Sequence, residues 1–245
     1  MPPKCFVTMC GRYTLYSSGE ELSDYYNAEI SDLLTHQANY NVTPSSTMPV
    51  VLQADETLRI VPYRWGLIPH WSKDEQMGYK MINARSETLD SKPAYRKPFA
   101  SQRCIVPSNG FYEWKTEKKQ KQPWYIYLKD NPIMSFAGLY DEWISPDGEV
   151  IPSYTIITTE ADESISDIHH RMPVILQPDY FRQWLDPDEH DKEKLKHILQ
   201  STPAGEIRRY QVSTAVNKPI NNYAELLQEA PLPGSQQSSQ GDLFG

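Results

Sequence analysis

Alternation of apolar and polar positions dominates the chain and predicts a protein built largely from strands. The segments Val50–Gln53 and Leu58–Trp65 alternate and are rich in β-branched residues, and the polar pair Asp55-Glu56 between them predicts a hairpin. The same pattern predicts further strands over Cys104–Pro107, Phe111–Lys115, Trp124–Leu128, Ile133–Trp143, Val150–Thr158 and Met172–Leu176.

Helical spacing is confined to short segments. Glu20–Asn27 is predicted to be a helix that Ser18-Gly19 opens, with its apolar and aromatic side chains on one side. Further helices are predicted over Ala161–Ile168, Asp179–Leu185 and Asp191–Gln200. Asn39–Pro44 is predicted to be an extended loop, because a proline disfavours helix at the residue before it.

No internal repeat and no linker divides the first 230 residues. Many strands with peripheral helices indicate a single α+β domain, built on a curled, barrel-like mixed β-sheet. The composition changes at Pro231, and the segment PLPGSQQSSQGDLFG is predicted to be a disordered tail, since it cannot bury enough apolar surface. The organisation predicted is therefore an N-terminal extension over residues 1–8, a folded domain over 9–230 and a tail over 231–245.

Charge and cysteine content narrow the possible functions. A net charge of −8 argues against a protein that coats duplex DNA by bulk electrostatics, although a small positive cleft is compatible with it. No apolar run approaches the roughly 18 residues of a membrane helix. Three cysteines cannot all pair, so a reducing cytoplasm is the expected location.

The first patch that indicates chemistry is Met9-Cys10-Gly11-Arg12-Tyr13. A lone cysteine near a terminus is commonly an inert small hydrophobe, but Met9 offers a start or cleavage point directly before Cys10. A chain that begins at Cys10 carries an α-amine and a thiol on one residue, and part of such an amine is unprotonated at neutral pH. The amine can condense with an aldehyde to an imine, and the thiol can close on the imine carbon to a thiazolidine.

A second patch is MINARSET, residues 81–88. Its Asn83 is a candidate for an orienting hydrogen bond, and its Arg85 is a candidate phosphate ligand, since a guanidinium group suits bidentate phosphate contact. The alternative interpretation is a strand end followed by a helix cap at Ser86.

The third patch lies in the predicted strand Phe111–Lys115. Phe111, Glu113 and Lys115 share one face of that strand, whereas Tyr112 and Trp114 share the other. A lone glutamate in a strand is more often solvated, but one between aromatic residues in a partly desolvated site is a candidate general acid or base. Trp114 is a candidate for stacking on an unpaired base.

The fourth patch is His169-His170-Arg171. Adjacent histidines in an extended segment point apart, and no set of ligands with metal spacing accompanies them, so we expect no metal ion and no cofactor. A single catalytic histidine, with Arg171 for phosphate, is the favoured interpretation.

Taken in order along the chain, six motifs resemble the SRAP family, named for SOS-response-associated peptidase. That family includes bacterial abasic-site crosslinking proteins and the animal protein that shields such sites in replicating DNA. The motifs are MCGRYT, NYNVTP, WGLIPHW, INARSET, CIVPSNGFYEW and IHHRMPVIL.

The resemblance implies a role for each matching residue. It implies that Cys10 is the N-terminal nucleophile and that Asn83 positions its amine and the sugar. It further implies that Glu113 and His169 are catalytic, and that the protein binds abasic sites in single-stranded DNA. Nothing in the sequence indicates an obligate oligomer, so a monomer is expected. The DNA contacts that it implies come from Arg12, Arg85, Arg171, Trp71 and Trp114.

Two features depart from or add to the family pattern. Eight residues precede Met9, so we expect either a true start at Met9 or removal of residues 1–9, which the protein itself is a candidate to perform. In the tail, Gln240, Leu243 and Phe244 resemble the peptide that binds the bacterial sliding clamp, with the side chains of the last two filling an apolar pocket.

Two alternative functions compete with abasic-site crosslinking. One is a thiol autopeptidase or amidohydrolase, with Cys10 as nucleophile and His169 as base. The other is a noncatalytic reader of modified or single-stranded DNA, which uses the arginines and tryptophans alone. Crosslinking is favoured, with the protein acting in the cytoplasm at the nucleoid.

Overall fold

A computed structural model describes residues 11–117, 120–201 and 206–230, which are rich in strands. The strands are β1 Tyr13–Leu15, β2 Glu29–Ile30, β3 Asn39–Val42, β4 Thr47–Ala54, β5 Thr57–Trp65, β6 Asn83–Arg85, β7 Arg103–Ser108, β8 Gly110–Glu117, β9 Gln120–Leu128, β10 Met134–Ile144, β11 Val150–Glu160, β12 Arg171–Pro173 and β13 Ile207–Gln211. The α-helices are α1 Gly19–Tyr26, α2 Pro93–Ser101, α3 Phe181–Leu185 and α4 Lys192–Leu199.

Five strands close into a barrel. β10 lies antiparallel to β11 and to β7, and β4 lies antiparallel to β7 and to β5. A parallel pairing of β5 with β11, in which Arg64 is opposite Ser153, completes the ring. The strands β6 and β12 extend the sheet at β11, and β2 extends it at β5. The predicted α+β domain with a curled, barrel-like mixed sheet is therefore confirmed.

A second, antiparallel sheet in the order β13-β9-β8-β1-β3 packs beside the barrel. The two faces of β8 serve different apolar clusters. Phe111 belongs to the main core inside the barrel, whereas Tyr112 and Trp114 pack with Val212 and Val216 in a smaller cluster. The alternation predicted for this strand is confirmed, and it places Glu113 on the face of the main core.

Local chemistry accounts for two elements that the sequence predicts well. In α1, the Ser18 side chain accepts a hydrogen bond from the Glu21 backbone N–H (3.1 Å) while Glu21 accepts one from the Ser18 N–H (2.7 Å), which is a capping box. In the β4–β5 hairpin, Asp55 has φ of 53°, a left-handed conformation that aspartate tolerates better than most residues.

The predicted helix over Ala161–Ile168 is wrong, because residues 163–168 form turns. Asp162 accepts hydrogen bonds from the backbone N–H (2.8 Å) and hydroxyl (2.6 Å) of Ser164, and the Ser166 hydroxyl donates to the Glu163 carbonyl (3.1 Å). Short polar side chains that bond to nearby backbone in this way compete with a helix.

Three other expectations need adjustment. The extended segment predicted over Asn39–Pro44 contributes the strand β3. Ser86 is the first residue of a 3₁₀ turn, Ser86–Thr88, and does not cap a helix. The helix α2 was not predicted, because Pro93 and Pro98 indicate breaks; Pro93 occupies its first turn, where a missing N–H costs nothing, and Pro98 is buried.

Some predictions fall outside the described residues. These are the extension over residues 1–8, Cys10, and the tail with Gln240, Leu243 and Phe244. Within the described ranges, no helix is both long enough and apolar enough to span a membrane.

Candidate active site

Glu113 is more deeply buried than Asn83 and His169, the other predicted catalytic residues that the structure describes. Its position on β8 turns it away from the Tyr112 and Trp114 face, and only 3% of the residue is exposed. The alternative of a solvated surface glutamate is therefore wrong. A buried carboxyl group beside another proton-exchanging side chain is an arrangement that suits general acid–base chemistry.

His169 brings an imidazole ring to this carboxyl group. Its Nδ1 atom lies 3.9 Å from Oε1 of Glu113, which is beyond hydrogen-bond length but within the range of an ion pair. The Arg171 backbone reaches the same Nδ1 through its N–H (3.1 Å) and its carbonyl oxygen (3.2 Å). The first contact suits an unprotonated Nδ1 and the second a protonated one, so the ring has a partner in both states.

His170 packs against the catalytic candidate. The two imidazole rings are stacked with their centroids 4.5 Å apart and an interplanar angle of 30°. His170 also lines a shallow pocket with Arg85, Ser166 and Arg171.

Asn83 lies on β6, which runs parallel to β11. Asn83 is opposite Ile156 and Arg85 is opposite Thr158 in this ladder. Ala84 between them is buried in the core, so Asn83 and Arg85 share the other face. The Tyr95 hydroxyl donates to the Asn83 carbonyl (3.1 Å) and holds the backbone at this point.

The strand β11 joins the second and fourth patches. Its end pairs with β12, in which Arg171 is opposite Glu160, and β12 directly follows the histidine pair. Asn83 and His169 lie far apart in sequence, and β11 brings their segments together.

The three predicted phosphate ligands have different surroundings. Arg85 is exposed. Arg12 donates to Oδ1 of Asn41 (2.6 Å) and to the Val216 carbonyl (2.8 Å). Arg171 is buried, and it donates to both carboxylate oxygens of Glu87 (2.5 and 2.9 Å) and to the Thr158 carbonyl (2.6 Å). The role of each as a DNA contact stays a prediction.

The two predicted tryptophans also differ. Trp71 is 49% exposed and lines a shallow depression with Met77 and Tyr79, flanked by Lys73 and Lys80. Trp114 is partly buried; its indole N–H donates to Oδ1 of Asn217 (2.7 Å), and the Arg12 guanidinium lies 5.8 Å from its ring centroid. Trp71 therefore has the more accessible ring for stacking on a base.

Sequence reasoning missed residues that support this site. Glu87 holds Arg171, and Asn41 donates to the carbonyls of Val216, Lys218 and Asn221, which fastens the segment beside Trp114. Glu87 lies in the motif INARSET and Asn41 in the motif NYNVTP, but the sequence of a motif does not reveal which groups its polar side chains bind.

Other reactive groups are accounted for within the described ranges. Cys104 is buried in the core, and burial raises the pKa of its thiol, which disfavours the nucleophilic thiolate. Across these ranges, no three His, Cys, Asp or Glu side chains converge as metal ligands do.

Comparison with known proteins identifies the family. The sequence model described as SOS response associated peptidase (SRAP) matches residues 9–219. The chain belongs to the SRAP family. The resemblance read from the six motifs is thereby confirmed.

Similar SRAP proteins occur in bacteria and in vertebrates. The abasic site processing protein YoqW of Bacillus subtilis is 45% identical over 224 residues, which cover 90% of this chain and 99% of YoqW. The abasic site processing protein HMCES of Xenopus tropicalis is 37% identical over 226 residues, which cover 78% of this chain and 66% of HMCES.

A solved structure shares the fold. The crystal structure of a protein from Bacteroides thetaiotaomicron superposes with a TM-score of 0.82 at 30% identity, covering 91% of this chain and all of that chain (100%).

Proposed function

We propose that this protein processes abasic sites in single-stranded DNA by bonding the sugar to the α-amine and thiol of Cys10. The observation that carries the proposal is the buried Glu113 with His169 3.9 Å away, beside the segment that follows Cys10. The Tyr112 N–H donates to the Arg12 carbonyl (3.0 Å), so Arg12 runs alongside the strand that holds Glu113. The names of YoqW and HMCES, both abasic site processing proteins, support the same substrate.

The chemistry is a condensation that releases one water molecule. The abasic sugar opens when Glu113 protonates the ring oxygen while the anomeric hydroxyl gives its proton to His169, which exposes an aldehyde; the His169 proton then returns to Glu113. The Cys10 amine adds to the aldehyde carbon as one amine proton passes to the former carbonyl oxygen. Glu113 protonates the resulting hydroxyl, which leaves as water, and the remaining amine proton returns to Glu113, forming an imine. The thiol sulfur then bonds to the imine carbon while the thiol proton passes to nitrogen, which closes the thiazolidine.

The surrounding residues have supporting roles in this proposal. His169 exchanges the second proton, consistent with a ring that finds a backbone partner in either protonation state. Asn83 holds the amine and the sugar, and Arg85 binds a neighbouring phosphate, with Arg12 and Arg171 on the flanking phosphates. Trp71 and Trp114 contact the bases on either side. Few phosphate contacts are needed, so a net charge of −8 is compatible with DNA binding.

The direct test uses protein whose first residue is Cys10, verified by intact mass. We expect it to form an adduct with abasic single-stranded DNA that survives denaturation, and we expect no adduct with an undamaged strand or with Cys10→Ala. An adduct that persists in Cys10→Ala, or one formed with undamaged DNA, would contradict the proposal. DNA binding without any adduct would favour the noncatalytic reader.

A further inference from the structure

The position of His169 depends on tethers in the preceding loop, residues 161–168. The loop forms turns, so no regular helical ladder fixes the histidine at its end. Ile165 and Ile168 are buried and hold one side of the loop in the core. The His169 N–H donates to the Ile165 carbonyl (3.2 Å). These contacts hold the backbone, and a separate contact ties the loop to the strand of Glu113.

That contact is centred on Asp167. Its Oδ2 accepts a hydrogen bond from Nζ of Lys115 (2.7 Å), and its Oδ1 accepts one from the guanidinium of Arg209. Arg209 lies on β13, and its guanidinium is 5.2 Å from the ring centroid of Trp124. We name these three residues, Lys115, Asp167 and Arg209, the Asp167 bridge.

The bridge and the catalytic pair connect the same two segments of chain. Lys115 is two residues beyond Glu113 on the same face of β8, and Asp167 is two residues before His169. Residues two apart on a strand are separated by roughly 7 Å along it. The contact between Lys115 and Asp167 is therefore adjacent to the contact between Glu113 and His169, because both join β8 to the same loop.

We propose that the Asp167 bridge sets the distance and orientation of His169 relative to Glu113, which makes Asp167 a positioning residue. The inference rests on the proposed function and deepens it. A displacement of about 1 Å at reacting groups can cost as much as a hundredfold in rate. A tether two residues before the histidine is well placed to prevent such a displacement.

Electrostatics keep the bridge closed over a wide pH range. Hydrogen bonds from Lys115 and Arg209 lower the pKa of Asp167 to about 2, so the carboxylate is ionised at any pH near neutrality. The Asp167 side chain is nevertheless 47% exposed, and exposed ion pairs contribute little to stability. Loss of the bridge should therefore affect the reaction more than the fold.

The test compares Asp167→Asn and Asp167→Ala with a matched control, Glu163→Gln, which removes a negative charge from the same loop. With saturating abasic DNA, we expect the rate of adduct formation in both Asp167 variants to be lower than in wild type by a factor of about ten or more. Noncovalent affinity for a strand with a stable abasic analogue and the thermal midpoint should match those of Glu163→Gln. Asp167→Glu should recover part of the rate, and Lys115→Gln should lose part of it.

The outcomes separate this inference from the proposed function. If Asp167→Asn forms adduct as fast as Glu163→Gln, the positioning role of the Asp167 bridge is wrong. It is also wrong if the lower rate is explained by an equal loss of DNA affinity. If wild type forms no adduct, the proposed function fails, and the bridge is then judged by long-range ¹H–¹⁵N spectra of the His169 ring. Those resonances should shift in Asp167→Asn and stay unchanged in Glu163→Gln; unchanged resonances in both variants would overturn the bridge.

Discussion

Two regions of this molecule bury an ionisable side chain in opposite ways. Arg103, where α2 meets α3, donates to the carbonyls of Phe99 and Ala100 (both 2.7 Å), of Trp184 (2.7 Å), of Asp186, and of Glu189 (3.2 Å). Glu113, on the face of β8, lies 3.9 Å from a titratable imidazole. The five N–H groups of a guanidinium are thus matched by five fixed acceptors in the first region, whereas the second sets two proton-exchanging groups side by side.

This difference indicates that Arg103 supports the fold, whereas Glu113 is placed to take part in a reaction. The acceptors around Arg103 are backbone oxygens that cannot change charge, and burial lowers the pKa of Arg103 only to about 10, so it stays protonated. The partner of Glu113 is an imidazole, whose two ring nitrogens can each donate or accept a hydrogen bond depending on where the proton lies. Substitutions in the first region should therefore cost stability, and substitutions in the second should cost rate.

The largest effect is expected at Glu113. Glu113→Gln keeps the shape of the side chain but removes its exchangeable proton, and general acid–base groups typically contribute about 10²- to 10⁴-fold. We expect the rate of adduct formation to fall by that factor while the urea midpoint changes little. The measurement is single-turnover adduct formation on abasic single-stranded DNA. A rate within threefold of wild type would remove Glu113 from the chemistry.

Arg103 should show the reverse behaviour. Arg103→Met leaves several buried carbonyls without donors, and a single unsatisfied buried acceptor already costs about 1–3 kcal/mol of unfolding free energy. Arg103→Lys should recover less than half of this loss, since a lysine cannot reproduce the planar fork of donors. Urea unfolding gives the stabilities, and adduct formation per folded molecule should stay at the wild-type level. A variant as stable as wild type would contradict the comparison.

The ion pair of Arg171 and Glu87 is intermediate between these two cases. The Arg171 side chain is buried, whereas the Glu87 side chain is 50% exposed. The hydrogen bond from Arg171 lowers the pKa of Glu87 from its ordinary value. A lowered carboxyl pKa adds stability above the unfolded-state value of about 4.3, and that stability is lost as the pH falls through the folded-state value.

We therefore expect the unfolding free energy of wild type to fall more steeply below about pH 4.3 than that of Glu87→Gln. The difference should be less than about 1 kcal/mol, because solvent screens a half-exposed carboxylate. Urea unfolding at pH 6 and at pH 3.5 measures it, with Glu163→Gln as control. Identical pH dependence in wild type and Glu87→Gln would show that the pair adds nothing to stability.

Most of the strands follow from local sequence, and so does the choice of candidate site residues, but the contacts between those residues do not. The alternation in Phe111–Lys115 identifies the two faces of β8, and Ser18 with Glu21 identifies the start of α1. The order of the motifs also predicts which residues form one site, and for Cys10 and Asn83 this stays a prediction. The loop before His169 could not be predicted in this way, because the apolar spacing of Ile165 and Ile168 is compatible with a helix and the hydrogen bonds of Asp162 and Ser164 that prevent it are not visible as a period.

The sequence by itself determined the alternation of the strands, the caps and turns between them, and the residue types available for chemistry. Only the tertiary structure decided that β5 and β11 close the barrel, that Glu113 is buried on the side of His169, and that β6 with Asn83 and β12 with Arg171 both pair with β11. The physical reason is that periodicity reports which face of a strand a side chain occupies, whereas its environment depends on what packs against that face. In this protein the partners come from segments far apart along the chain.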